Sequence, residues 1–164
     1  MPRVIVVCGR LCSGKTTYAE KLRDECGAMI LSADELMLAL FPEGAGEKHE
    51  IYVRRTEDYL LNLSLQILQA GTDVILDWGL WTPELRRKIR SFYNDHGVKL
   101  EVIYLRLSEE EWQRRIRKRN AAVEQQMNRA AYYVDEGLLQ KFKDLFREPS
   151  AEEVDRIIDS KPSE

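Results

Sequence analysis

The segment VIVV, Val4 to Val7, is an unbroken β-branched run, the pattern of a strand covered on both faces. Polar residues follow it, and from Lys15 to Cys26 the apolar positions Tyr18, Ala19 and Leu22 return at helical spacing. AMIL (Ala28 to Leu31) and TDVILD (Thr72 to Asp77) predict two further strands, separated by a long helix from about Glu50 to Ala70 that Gly71 stops. VKLEVIYLRL (Val98 to Leu107) predicts a fourth strand and DRIID (Asp155 to Asp159) a short fifth. Thr82 and Pro83 supply the N-cap and first position of a helix over Pro83 to Asp95, while Ser32 with Glu35 and Ser108 with Glu111 have capping-box spacing. Phe41 to Glu50 is the most loop-like insertion, and KPSE is a frayed tail. Strands alternating with helices predict an α/β fold: a parallel sheet of about five strands with helices on both faces.

Composition narrows this without changing it. With 164 residues and 44% apolar content, the chain is expected to form one domain over 1–164 with a real core. A net charge of −3 and a pI near 5.6 argue against bulk attraction to nucleic acid or an anionic membrane. No leader-like segment precedes the first strand and no apolar run reaches membrane-spanning length, so a cytoplasmic protein is expected. Cys8, Cys12 and Cys26 are odd in number and lack metal-ligand spacing, which suits a reducing compartment.

The candidate chemistry begins where the first strand ends. Gly9, Gly14, Lys15 and Thr16 satisfy G-x-x-x-x-G-K-[ST], the phosphate-binding loop, here in its required place between a strand and a helix start. Backbone N–H groups of such a loop point at an anion and the helix N-terminus adds partial positive charge. The expected ATP-binding residues are Gly9, Arg10, Leu11, Cys12, Ser13, Gly14, Lys15, Thr16 and Thr17. Lys15 would reach the β- and γ-phosphates, and the Thr16 hydroxyl would hold Mg²⁺. Cys12 is either a redox-sensitive thiol or simply a small residue that fits the loop.

Ligands of open α/β sheets sit beyond the carboxyl ends of the strands, so each strand end is informative. Asp34 follows the second strand, and Asp77 closes the third as the acidic strand end that P-loop proteins use toward Mg²⁺ or its waters. After the fourth strand, EEEWQRRIRKRN places Arg115 and Arg119 on one helix face at i, i+4 spacing. Each has a plainer alternative. Asp34 can complement a helix dipole, Asp77 can be a turn residue, and the arginines can suit the macrodipole with Glu110–Arg114 and Glu111–Arg115 pairs. Their convergence on one crevice with the P-loop is what phosphoryl transfer requires.

In GRLCSGKTT, LSADELMLALF, VILDWG, RRIRKRN and VDEGLLQKFKDLFREP the chain resembles the small P-loop kinases of the AAA-type predicted-kinase family, related to 5′-hydroxyl polynucleotide kinase, chloramphenicol phosphotransferase and the zeta toxins. The resemblance spans nearly the whole chain. It implies a three-layer P-loop NTPase core with Lys15 and Thr16 on ATP and Mg²⁺, Asp34 as general base, and Arg115 and Arg119 in a lid near 109–133. It also implies that Asp77 orders the metal, its waters or the acceptor, and that Val134 to Pro149 lies near the adenine.

Relatives acting on nucleic-acid 5′-hydroxyls commonly carry an arginine three residues after the matching aspartate; here that residue is Met37. An apolar side chain cannot neutralise a phosphate, so a less charged small-molecule acceptor with a hydroxyl gains support. Trp78 and Trp81 are either a stacking wall for a ring-bearing acceptor or packing for the helix that starts at Pro83. His49, Tyr52, Arg54 and Arg55 either open an acceptor-binding helix or form a solvated face. The leading expectation is ATP-dependent phosphorylation of a small-molecule hydroxyl. A nucleic-acid end kinase is the alternative, favoured by RRKIR (Arg86 to Arg90) and disfavoured by Met37 and the acidic pI. A nucleotide-dependent switch is the third, but Asp77 is followed by WGL, with Leu80 where D-x-x-G wants glycine, and N-K-x-D is absent. The acceptor and the oligomeric state are left open.

Overall fold

The computed structural model describes residues 1–125 and 133–161. Part of the expected lid, 126–132, and the end of the tail, 162–164, lie outside the described residues. The chain runs β1 (Val4–Cys8), α1 (Lys15–Cys26), β2 (Met29–Leu31), α2 (Ala33–Leu40), a 3₁₀ turn (Gly46–Lys48), α3 (His49–Gln69), β3 (Val74–Asp77), α4 (Pro83–Asp95), β4 (Leu100–Arg106), α5 (Glu109–Glu124), α6 (Glu136–Leu145) and β5 (Arg156–Asp159). The strands form one parallel sheet in the order β2-β3-β1-β4-β5. β1 is central: Val6 is paired with Leu76 on one side and Val102 on the other. The second strand is shorter than AMIL, because Ala28 turns into the core before pairing begins at Met29.

Successive strand residues face opposite ways, so the apolar runs feed two cores. Val4, Val6, Val74, Leu76 and Val102 pack with Leu60, Leu61, Ile89 and Tyr93 of α3 and α4. Ile5, Val7, Ile75, Ile103 and Leu105 pack on the other face with Ala19 and Leu22 of α1. This gives the three-layer α/β/α arrangement, with every residue of β1 buried. A third cluster, Leu107, Trp112, Ile116 and Val134, joins α5 to the segment leading into α6 and takes Leu11 of the P-loop at its border.

Hydroxyls and carboxylates close the orphan N–H groups of the helix starts. Ser32, Thr82 and Ser108 accept from Glu35 N (3.2 Å), Leu85 N (3.3 Å) and Glu111 N (3.2 Å). Asp135 does the same for α6, accepting from Leu138 N at 2.8 Å. The Glu111 carboxylate is turned toward Arg114 and Arg115. Arg114 thus forks onto Glu111, three residues earlier, where the sequence spacing pairs it with Glu110.

Candidate active site

β1 delivers the chain into the P-loop at the carboxyl edge of the sheet, and two glycines there are dictated by space and backbone. A Cβ on Gly9, at φ 154°, would sit 2.7 Å from Ser13 Oγ and 2.9 Å from the Leu105 carbonyl. Gly14, at φ 90°, is the left-handed N-cap of α1. Cys12 also holds a positive φ, 60°, without being glycine, a conformation that costs on the order of 1 kcal/mol.

Lys15 Nζ donates back onto the loop, to the Gly9 carbonyl at 3.2 Å and the Arg10 carbonyl at 2.9 Å. The Thr16 hydroxyl donates to Asp77 Oδ2 at 2.8 Å. Burial is the main influence on both charged groups. It pulls the Lys15 ammonium below its usual range, against the opposing charges of Asp77 and then Asp34. It pushes the Asp77 carboxyl up, against the Thr16 hydrogen bond and the Lys15 charge. Lys15, Asp77 and Asp34 are therefore one electrostatic set, although 19 and 43 residues separate Asp34 from Lys15 and from Asp77 in sequence.

A crevice of about 790 Å³ opens above the sheet edge and is bordered by Lys15, Thr16, Asp34, Asp77 and Arg119, five of the residues singled out from sequence. Asp34 is exposed at its rim in the first turn of α2. Among the described residues no group of three or more His, Cys, Asp or Glu is arranged to hold a metal. One hydroxyl and one carboxylate suit Mg²⁺, which takes few protein ligands and completes its octahedron with water and phosphate oxygens.

The two arginines of α5 are placed differently. Arg119 lines the crevice, with Nη1 3.8 Å from Cys12 Sγ. Arg115 is pinned behind the P-loop: its guanidinium donates to Glu111 (2.7 Å), the Cys12 carbonyl (3.3 Å), Ser160 Oγ (3.0 Å) and the Lys161 carbonyl (2.8 Å). The i, i+4 spacing gave them a common face, but Cys12, Ser160 and Lys161 hold Arg115 while Arg119 borders the opening.

Both tryptophans after β3 pack into the fold. Trp78 is buried and donates to the Leu31 carbonyl at 3.1 Å, tying the ends of β3 and β2 together. Trp81 donates to the Gly9 carbonyl at 3.2 Å and meets Phe142 of α6 edge-on, with ring centres 5.1 Å apart. A stacking wall built from this pair is not what the structure shows, and sequence reasoning missed Trp81 as a support of the P-loop itself. The aromatic on the crevice is Phe41, stacked on Tyr52 at 4.8 Å. His49 lines the crevice, whereas Arg54 is exposed and Arg55 lies over the Tyr52 ring.

The cations of RRKIR are paired within the chain. Arg86 is buried, gripping Glu153 at 3.0 Å and the Leu80 carbonyl at 2.8 Å, which anchors the left-handed Leu80 (φ 45°). Arg87, Lys88 and Arg90 pair with Glu84, Asp58 and Asp155. Arg86 is thus withdrawn into the fold, while Arg87 and Lys88 stay on the surface beside their carboxylates. The segment Val134 to Pro149 borders the P-loop through Arg10, whose guanidinium lies 5.1 Å from the Phe146 ring centre and pairs with Glu109 at 2.7 Å. A separate hollow of about 390 Å³ lies between α5 and this segment, bordered by Ile116, Asn120, Val134 and Leu139.

A family model described as an AAA domain, AAA_33, matches residues 4–149. The chain belongs to this AAA domain family. No curated protein matches it significantly. Among solved structures it is similar to a sugar kinase from Janibacter sp. HTCC2649, with 20% identity, a TM-score of 0.65, and 97% of this chain and 86% of that one covered. It is similar to a putative kinase from Chloroflexus aurantiacus j-10-fl, with 17% identity, a TM-score of 0.72 and coverage of 96% and 84%. It is also similar to the APS kinase CysC of Mycobacterium tuberculosis in complex with AMPPNP and APS, with 16% identity, a TM-score of 0.66 and coverage of 99% and 90%. The fold is thus that of small P-loop kinases, as the sequence resemblance implied. No helix among the described residues is long and apolar enough to cross a membrane.

Proposed function

We propose that the protein is an ATP-dependent phosphotransferase that moves the γ-phosphoryl group of ATP to the hydroxyl of a small molecule. The observation that carries this reading is the joining of Lys15, Thr16, Asp77, Asp34 and Arg119 around one crevice above the sheet edge. The P-loop N–H groups and Lys15 would bind the phosphates, with Lys15 exchanging its bonds to the Gly9 and Arg10 carbonyls for phosphate oxygens. Thr16 and Asp77 would hold Mg²⁺ or its waters; bound there, the ion neutralises charge on the phosphates. Asp34 accepts the proton of the acceptor hydroxyl as that oxygen bonds to the γ-phosphorus. The bond to the bridging oxygen breaks and ADP departs. Arg119, with Lys15, stabilises charge on the transferring group. Arg115 acts as a positioning residue, holding the Cys12 carbonyl and the segment at Ser160.

The test is Lys15→Ala. Circular dichroism should show a folded protein, while calorimetric titration shows most affinity for ATP gone. Unchanged ATP affinity in the folded variant refutes the phosphate-site assignment.

A further inference from the structure

Away from the phosphates, the crevice changes character. Met37 and Leu38 of α2, Phe41 just after it and Val53 of α3 give this end an apolar wall. Met37 is fixed in that wall, being buried and accepting a long hydrogen bond from Thr56 at 3.4 Å, and Phe41 is fixed by its stack on Tyr52. The charged side chains among them are carboxylates, Asp34 and Glu43. Among the described lining residues the lysine and arginine cations are Lys15 and Arg119, both at the phosphate end.

Bound ATP would sharpen this contrast. Its phosphates take up the charge of Lys15 and Arg119, leaving the carboxylates Asp34 and Glu43 and the imidazole of His49 to set the field that an acceptor meets. An acceptor carrying a phosphate or carboxylate would meet like charge from Asp34 and Glu43 at the rim, which weakens its binding. A neutral or amine-bearing alcohol would not, and its apolar face has a wall to cover. We infer that this crevice selects uncharged or cationic alcohols with an apolar or aromatic face, and rejects anionic ones. The inference rests on the kinase reading of the same site and deepens it by naming the acceptor class.

Three probes share a phenyl ring and one hydroxyl but differ in charge: 3-phenylpropanol (neutral), phenylalaninol (cationic) and phenyllactate (anionic). With the full chain saturated by AMP-PNP and Mg²⁺, each is titrated while the ¹³C-methyl resonance of Met37, assigned through Met37→Leu, is followed. The neutral and cationic probes should move this resonance with dissociation constants at least tenfold below that of phenyllactate. In Leu38→Lys, at a half-exposed position that tolerates a long polar chain, the gap should narrow through tighter binding of phenyllactate. Phenyllactate binding as well as the others, or an unchanged gap in Leu38→Lys, overturns the inference. So does the failure of every probe to move Met37 while AMP-PNP still binds, an outcome that leaves the nucleotide site standing. Failure of AMP-PNP itself to bind overturns the kinase reading instead.

Discussion

Asp34 and Asp77 are both carboxylates at the sheet edge, yet their environments predict opposite consequences of the same amide substitution. Asp34 is exposed in the first turn of α2, where a negative charge is worth about 0.3–1 kcal/mol to the helix dipole. Asp34→Asn should therefore shift unfolding free energy by no more than about 1 kcal/mol. If the carboxylate is the general base, acceptor phosphorylation should nonetheless fall by roughly a hundred- to ten-thousand-fold, about 2.7–5.5 kcal/mol of barrier. The kinetic loss then exceeds the stability change and cannot be unfolding. Asp77 is the reverse case. Burial raises its folded carboxyl above the unfolded value, so the stability it contributes is full below the ordinary carboxylate range and is lost as pH rises through the folded value. At pH 7 the charge is a cost to the protein without metal. Asp77→Asn should raise the midpoint of urea unfolding at pH 7, with the advantage disappearing in acid. The same variant should need more Mg²⁺ for activity, since an amide oxygen lacks the full charge that holds the ion or its waters. The assay is coupled ADP release against Mg²⁺ for both variants with one acceptor, alongside urea titrations at pH 7 and pH 3. Wild-type turnover in Asp34→Asn, or a defect there that high Mg²⁺ repairs while that of Asp77→Asn persists, refutes the assignment.

Gly9→Ala should abolish ATP binding and lower stability by about 1–3 kcal/mol, because its Cβ meets Ser13 Oγ and the Leu105 carbonyl inside 3.0 Å; isothermal titration and urea unfolding check both effects. Glu153→Gln, which leaves the buried Arg86 guanidinium without its counter-charge, should cost about 2–3 kcal/mol in urea unfolding. That is below the value for a fully buried pair, because Glu153 is one-quarter exposed. In a Cys26→Ser background, iodoacetamide should label Cys12, which lines the crevice, and ATP should slow that labelling. Cys8, buried with its thiol pushed up to about 11, should stay unlabelled until the protein unfolds; peptide mass mapping reads both sites.

Local pattern determined a large share of this protein. The β-branched run before the glycines could only be a strand with both faces covered, and Gly9, Gly14, Lys15 and Thr16 carry their geometry with them because a phosphate loop is made of consecutive residues. Ser32, Thr82 and Ser108 cap the helices they precede, since a cap bond spans three residues. The ends of β2 and β3 also bring Asp34 and Asp77 to one crevice, because a parallel sheet sends every strand's carboxyl end to one edge. What required tertiary structure was the direction in which long side chains finally point. Arg115 and Arg119 share a face in sequence, but Ser160 and Lys161, some forty residues on, hold Arg115 behind the loop. RRKIR reads as a basic surface until Glu153 and Asp155, brought alongside α4 by the approach to β5, take up Arg86 and Arg90. Which way Trp81 turns was decided in the same manner. A tryptophan N–H that leaves water needs an acceptor, the Gly9 carbonyl supplies one, and the wall of the crevice falls to the residues of α2 and α3 that the sheet order sets opposite the P-loop.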